Sequence, residues 1–358
     1  MNKYAVIMAG GVGTRFWPVS RVDKPKQFLD ILGLGQTLLQ MTYARFAEII
    51  PEGNIFIVTN EAYRDLIREQ LPLIDEQQIL GEPLAKNTAP CIAYACTKIA
   101  SKDPDSVVVV APSDHLILDQ AAFVAQVNKG LDFAANHNAL VTLGIKPSRP
   151  DTGYGYIQFI PEAFEPEVHK VKIFTEKPND ELAQQFIDSG DFLWNAGIFI
   201  WSLKAILDAF DEYLPDTSEL FKNGESHYFQ PSERSYIEEV YPICPSISID
   251  YGIIEKAENV FVIPSDFGWS DLGTWKSLFE VADKRDGNNV IIGDEIELHK
   301  SKNNLVYSTQ KKIVILEGVD NMFVLETEDA LLVCHMDKEQ EVKRIVSELK
   351  TKFKDKYI

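Results

Sequence analysis

The chain is poor in cysteine, in basic residues and in long apolar runs, and each shortage removes a class of protein. Four cysteines, Cys91, Cys96, Cys244 and Cys334, are scattered through 358 residues. They form no Cys-x-x-Cys pair, which leaves neither a disulfide framework nor a zinc site to read. The pattern fits a reducing cytoplasm. Lysine and arginine number 35 against 54 aspartates and glutamates, a formal net charge of -19. So acidic a chain repels polyanions at long range, and nucleic acid is not expected as a general partner. The longest apolar runs, such as VVVVA at 107–111, fall far short of the roughly 20 residues that span a bilayer. Met1 leads into a charged and then strand-like segment without a signal-peptide pattern, so no membrane and no export are expected.

What is present is a 45% hydrophobic composition, enough for a sizeable core over about two domains. Short runs rich in β-branched residues, YAVIMAGG (4–11), IFIVTN (55–60), SVVVVAPSD (106–114) and ALVTLGI (139–145), read as strands buried on both faces. Between the first two, Leu39, Tyr43, Phe46 and Ile50 recur with helical spacing; before the fourth, Phe123, Val127, Leu131 and Ala134 do the same. This alternation predicts an α/β fold with a Rossmann-like, mostly parallel sheet over residues 1–285, whose ligands gather beyond the carboxyl ends of the strands. Gly10, Ser113 with Asp114, Glu176 with Lys177, and Asp271 each follow an apolar run. From 286 to 358 the texture changes to short β-like pieces separated by Gly293, Asn303, Asn304, Gly318 and Asn321, a small β-rich domain. It closes with a helix whose apolar face is Val342, Ile345, Val346, Leu349 and Phe353. No low-complexity linker and no strict repeat is visible.

The stretch GGVGTRFWPVSRVDKPKQF, residues 10–28, concentrates positive charge in an acidic chain: Arg15, Arg21, Lys24 and Lys26 stand against Asp23 alone. A glycine-rich turn after a buried strand lets backbone N–H groups approach an anion. The P-loop pattern is excluded because no Lys-Ser or Lys-Thr pair follows at its spacing, and the dinucleotide fingerprint because Phe16 stands where a third glycine is needed. A plain tight turn with a solvated charged face is the competing reading. For the strand-end acids the alternatives also stay open: Asp114 and Asp271 suit a helix N-cap as well as a cation site. Glu82 can end a strand or, as an acceptor-only carboxylate, meet the N1–H and N2–H₂ edge of guanine. Asn87 and Thr88 can cap the helix that follows them. Trp194, Trp269 and Trp275 suit core packing or stacking, and His115 reads as structural.

The same loop resembles the signature of the sugar-1-phosphate nucleotidylyltransferases, and FWPVSR with PKQF resembles the mannose-1-phosphate guanylyltransferases among them. The resemblance continues through EPLAKNTAP (82–90), VVVAPSDH (108–115), TGYGYI (152–157), FTEKP (174–178), WNAGIFIW (194–201), SIDYGIIEK (248–256) and FGWSDLGTW (267–275). It implies transfer of GMP from GTP to mannose 1-phosphate, giving GDP-mannose and pyrophosphate with Mg²⁺ as cofactor. It further implies nucleotide contacts by Gly10, Gly11, Gly13, Thr14, Arg15, Glu82, Asn87, Thr88 and Ser113. Arg15 and Lys26 are implied on the β and γ phosphates, and Asp114 and Asp271 on the metal. Lys177 is implied on the sugar phosphate, with Glu176, Asn195 and the backbone at Gly155 around the sugar. In relatives the C-terminal region is β-helix-like and contributes to dimers, so a homodimer is one arrangement to expect, in a short form without an isomerase domain. Two alternatives share these residues: another sugar nucleotidylyltransferase on the same scaffold, and a non-catalytic GDP-mannose sensor.

Overall fold

The computed structural model describes residues 1–11 and 13–358. Contacts gather them into two compact units. The first comprises 1–10, 42–113 and 117–269; the second comprises 11–41, 114–116 and 270–358.

The first unit is built on a nine-stranded sheet. In chain order its strands are β1 (Asn2–Ala9), β2 (Ile55–Asn60), β3 (Ile79–Glu82) and β4 (Ser106–Pro112), then, after the two-residue β5 (Leu116–Ile117), β6 (Leu140–Ile145), β7 (Gly155–Glu165), β8 (Val168–Glu176), β9 (Phe192–Ser202) and β10 (Val260–Ser265). They lie in the order β3-β2-β1-β4-β9-β6-β10-β8-β7. The block β3-β2-β1-β4 is parallel throughout, and Val107–Ala111 are all buried, as continuous apolar strands covered on both faces should be. β9 runs antiparallel between β4 and β6, which makes the sheet mixed. The reversal has a consequence for the site. The amino end of β9 meets the carboxyl end of β6, with Asn195 opposite Gly144, so a residue from a strand start joins residues from strand ends.

Helix α1 (Leu38–Ala47) forms where the apolar spacing predicts it; α2 (Arg64–Gln70) follows, and α3 (Thr88–Ala100) begins at Asn87, whose side chain accepts from the Thr88 N–H. Helix α4 (Gln120–Asn136) also forms where predicted, and α5 (Asp180–Ser189), α6 (Leu203–Tyr213), α7 (Pro215–Lys222), α8 (Glu233–Val240) and α9 (Trp275–Val281) come after it. Among the described residues no helix is long and apolar enough to cross a membrane, and the four cysteines are free thiols.

The second unit contains the C-terminal strands. After β11 (Trp269–Ser270) come β12 (Val290–Ile292), β13 (Ile296–His299), β14 (Leu305–Ser308), β15 (Val314–Glu317), β16 (Met322–Glu326) and β17 (Leu331–His335). β12, β14 and β16 stack in parallel and β17 closes the stack antiparallel, while β13 and β15 stack in parallel as a second face. The coils turn at asparagines. Asn288, Asn303 and Asn321 take left-handed φ, which asparagine tolerates better than other side chains with a Cβ. The buried Asn304 amide donates to Asn289 Oδ1 at 3.0 Å and to the Val319 carbonyl at 2.7 Å, while its oxygen accepts from Met322 N at 2.9 Å. Each coil is thereby tied to the next.

Residues 11–41 pack with this module. Phe16, Trp17, Ile31 and Leu38 share one apolar cluster with Trp275, Val290, Leu305, Phe323, Val342 and Val346. The terminal helix α10 (Glu341–Phe353) supplies the last two and packs against the 3₁₀ turn Thr14–Phe16. The core of the glycine-rich loop is therefore built largely from the far end of the chain.

Candidate active site

The glycine-rich segment forms one wall of a cleft of about 320 Å³ in the second unit, lined by Gly13, Thr14, Arg15, Lys26, Asp114, His115, Asp271 and Lys343, among others. Gly13 sits at φ 62°, and a Cβ there would lie 2.8 Å from the Cβ of Lys26. Only glycine lets the loop close on that lysine. Lys26 is 4% exposed. Its ammonium pairs with Asp114 Oδ2 at 2.9 Å and donates to the carbonyls of Asp271 at 3.0 Å and Leu272 at 2.8 Å. Three donors meet three acceptors, so Lys26 ties the segment carrying Asp114 to the one carrying Asp271. Leu272 holds a left-handed φ of 43°, a conformation that non-glycine residues keep only where the surroundings enforce it. Burial raises the pKa of Asp114, but the Lys26 ammonium, His115 and a hydrogen bond from Lys26 more than offset it, leaving the carboxyl below its ordinary value. Arg15 is exposed at the cleft edge. Gly11 accepts from the Gln27 side chain at 2.9 Å.

In the first unit, Glu82 ends β3 and is buried. Tyr241 donates its hydroxyl to Glu82 Oε1, and Glu82 Oε2 lies where a Cβ on Gly10 would come within 3.2 Å of it. Burial raises this carboxyl to about 7, with the Tyr241 hydrogen bond pulling the other way. Nearby, Thr88 accepts from the Ile249 N–H at 2.9 Å. The buried Ser113 donates its N–H to Met8 O at 2.9 Å and accepts the Thr42 hydroxyl at 3.2 Å, which fixes the backbone just before Asp114.

A second cluster of the first unit collects Gly155, Glu176, Lys177 and Asn195. Gly155 pairs with Glu176 across β7 and β8, and a Cβ on Gly155 would strike Glu176 Oε2 at 2.3 Å. The exposed Lys177, at φ 49°, pairs with Glu176 Oε1 at 2.9 Å. Asn195 Oδ1 accepts from Thr142 Oγ1 and from Gly197 N, both at 3.1 Å, and its amide donates to Asp250 Oδ1 at 2.9 Å. Asp250 opens a π-helical turn, Asp250–Ile254, a geometry frequent at functional sites. Burial, then the charge of Glu176, raises its carboxyl to about 6.

Tyr241, Asp250, Thr142 and Lys343 are absent from the residues expected on sequence. Asp250 lies inside SIDYGIIEK, so the motif was visible although the residue follows no strand. Lys343 reads on sequence as part of a charged helix face. Trp275, 1% exposed against Phe16 at 4.8 Å, is core; Trp194 and Trp269 both pack on Tyr154. Among the described residues no group of three or more His, Cys, Asp and Glu could hold a metal by itself.

A basic glycine turn beside two carboxylates in the second unit, and a mixed α/β sheet with further acids in the first, suit a protein that handles phosphate with a divalent cation. The model of the nucleotidyl transferase family matches residues 4–287, and that of the mannose-phosphate isomerase/GMP-like β-helix domain matches 293–349. A Salmonella muenchen mannose-1-phosphate guanylyltransferase is 37% identical over 96% of this chain and 73% of its own length. An Escherichia coli K12 protein of the same description is also 37% identical, over 97% of this chain and 73% of its own. A Thermus thermophilus structure described as a mannose-1-phosphate geranyltransferase superposes with a TM-score of 0.89 at 32% identity, covering 98% of this chain and 100% of the other. The chain belongs to the nucleotidyl transferase family, in the branch that holds the mannose-1-phosphate guanylyltransferases.

Proposed function

We propose that the chain transfers GMP from GTP to mannose 1-phosphate, releasing pyrophosphate and forming GDP-mannose. The observation that carries this reading is the cleft in which Arg15, Lys26, Asp114 and Asp271 meet beside the glycine turn, in a chain with close guanylyltransferase relatives. A phosphate oxygen of the sugar phosphate attacks the α-phosphorus of GTP; the bond from that phosphorus to the bridging oxygen of the β-phosphate breaks, and pyrophosphate leaves with the electron pair. The protein's part is to position two anions and offset developing charge. Thr14, Arg15 and the N–H groups of Gly10, Gly11 and Gly13 take the triphosphate, with Ser113 as a further nucleotide contact. In the conformation described, Lys26 holds the two acidic segments together, so its contact with phosphate exchanges one of its three present acceptors.

Two carboxylates lining one cleft suit magnesium, which is usually held by one or two carboxylates plus substrate phosphate oxygens. Asp114 and Asp271 would hold it, and it would supply charge neutralisation at the reacting phosphates. Glu82, fixed by Tyr241, presents acceptor oxygen to the guanine edge, and the capped start of α3 at Asn87 and Thr88 takes the ribose side. Glu176, Asn195, Asp250 and the Gly155 backbone surround the sugar, and Lys177 takes its phosphate. Cytoplasmic location is supported by the four free thiols. A homodimer is supported by the exposed apolar Leu331 and Val333 of the C-terminal module, with sedimentation velocity as the check. The test of the reaction is pyrophosphate release across GTP, ATP, UTP and dTTP with mannose 1-phosphate and glucose 1-phosphate. Preference for another nucleotide over GTP would overturn the assignment.

A further inference from the structure

The β-rich module and its closing helix carry no motif of transfer chemistry, yet Lys343 of α10 lines the cleft with Arg15, Lys26, Asp114 and Asp271. Its position follows from the helix. The preceding Val342 is 1% exposed and Val346 is buried, both in the cluster that also holds Phe16 and Trp17. α10 is therefore anchored against the 3₁₀ turn that carries Arg15. Val342 points into the core, and Lys343, one residue on, projects to the exposed rim.

Charge accounting makes this lysine matter. Lys26 spends its three donors on Asp114 and two backbone carbonyls. The lysine and arginine side chains on the cleft not tied down in that way are Arg15 and Lys343, and no ion pair of Lys343 occurs among the described residues. A leaving pyrophosphate carries several negative charges, and Arg15 together with a Lys26 that must first give up one of its acceptors is a modest counterweight at an open rim. We propose that Lys343 contacts the β and γ phosphates of the nucleotide and the departing pyrophosphate, so that the C-terminal module contributes a residue directly to the transfer reaction. The proposal rests on the phosphate-transfer reading of this cleft given above.

The experiment uses the full chain and runs the reaction backwards, from GDP-mannose and pyrophosphate. Lys343→Ala should raise KM for pyrophosphate about 10-fold, as expected for losing one charge-assisted contact at a partly exposed site. KM for GDP-mannose should move less than about 2-fold, since that substrate lacks the phosphate concerned. Lys343→Arg should restore most of the loss and Lys343→Glu should deepen it. Lys350→Ala, on the same helix but not on the cleft, should change neither constant. An unaltered pyrophosphate KM in Lys343→Ala overturns the proposal. So does an equal rise in both KM values, which would mean that α10 serves only to hold the loop. Calorimetric titration of inorganic pyrophosphate with magnesium into wild type and Lys343→Ala separates this idea from the choice of substrates. If the wild type turns over neither GTP nor mannose 1-phosphate, weaker pyrophosphate binding in the variant still upholds the Lys343 contact, and equal binding sinks it.

Discussion

Asp114 in the second unit and Glu82 in the first are both acids at the end of a parallel strand, and they are handled in opposite ways. Asp114 has an ammonium 2.9 Å away and lies below its ordinary pKa despite burial. Glu82 is met by a phenol hydroxyl and rises to about 7; Asp250 is met by an amide and rises to about 6. A carboxylate beside a fixed cation stays ionised and keeps its charge for a metal or phosphate centre. A carboxylate given only neutral donors is poised to improve its situation when a ligand brings N–H or O–H groups. The Lys26–Asp114 pair lies in the second unit, and the two raised carboxyls, Glu82 and Asp250, lie in the first.

The sharpest way to break this contrast is at the charged cleft. Asp114→Ala and Asp271→Ala should each lower turnover about 10²-fold or more while circular dichroism stays native, and EDTA should abolish activity that magnesium restores. Full activity in either variant would remove the metal assignment.

At the recognition end the loss should appear in selectivity. On the proposed role of Glu82, Glu82→Gln replaces an acceptor by a donor toward guanine N–H, so kcat/KM for GTP should fall by about 10²-fold. Inosine triphosphate, which lacks the N2 amine, should suffer less from the same change. If the order of GTP over ATP survives in the variant, guanine is read by backbone groups and Glu82 is a strand-end residue.

A smaller effect is expected at Asp250. Asp250→Asn should raise KM for mannose 1-phosphate about 10-fold, the scale of one hydrogen bond to a charged acceptor, and leave KM for GTP nearly unchanged. A shift confined to GTP would separate Asp250 from the sugar.

The least effect is on stability, and its sign follows from the raised carboxyls. Between their ordinary values and about 7 and 6, the folded protein keeps protons on Glu82 and Asp250 that the unfolded chain has lost. Stability from these groups is thus present at low pH and lost as pH rises through that window. Asp114 works the other way, stabilising above the ordinary carboxylate range and losing that contribution as pH falls. The double variant Glu82→Gln, Asp250→Asn should therefore melt higher than wild type at pH 8, with the difference vanishing near pH 4. Equal melting temperatures at both pH values would mean that the two acids are not held against their charge.

Much of this molecule was legible in one dimension. The parallel strands, α1, α3, α4 and the β texture after residue 285 follow from apolar spacing and β-branched runs, because burial of a strand or helix face is a local, periodic demand. The asparagine ladder went unread as a repeat because its coils differ in length: Asn289, Asn304 and Met322 occupy equivalent places at intervals of 15 and 18 residues, and no fixed period survives that. Glu82, Asp114 and Asp271 were visible as acids at or after strand ends, and the resemblance in EPLAKNTAP, VVVAPSDH and FGWSDLGTW assigned them chemistry.

Composition and local order determined a class of fold, a basic turn in an acidic chain and the acids available to it. Only the tertiary structure decided which of those acids meets a cation and which meets a neutral donor. Tyr241 reaches Glu82 across 159 positions, Lys26 reaches the Asp271 carbonyl across 245, and α10 packs against a loop more than 300 residues earlier. The reason is physical: a pKa and a hydrogen-bond partner depend on what lies within a few ångströms, and that neighbourhood is assembled by packing between segments whose separation along the chain carries no trace of it.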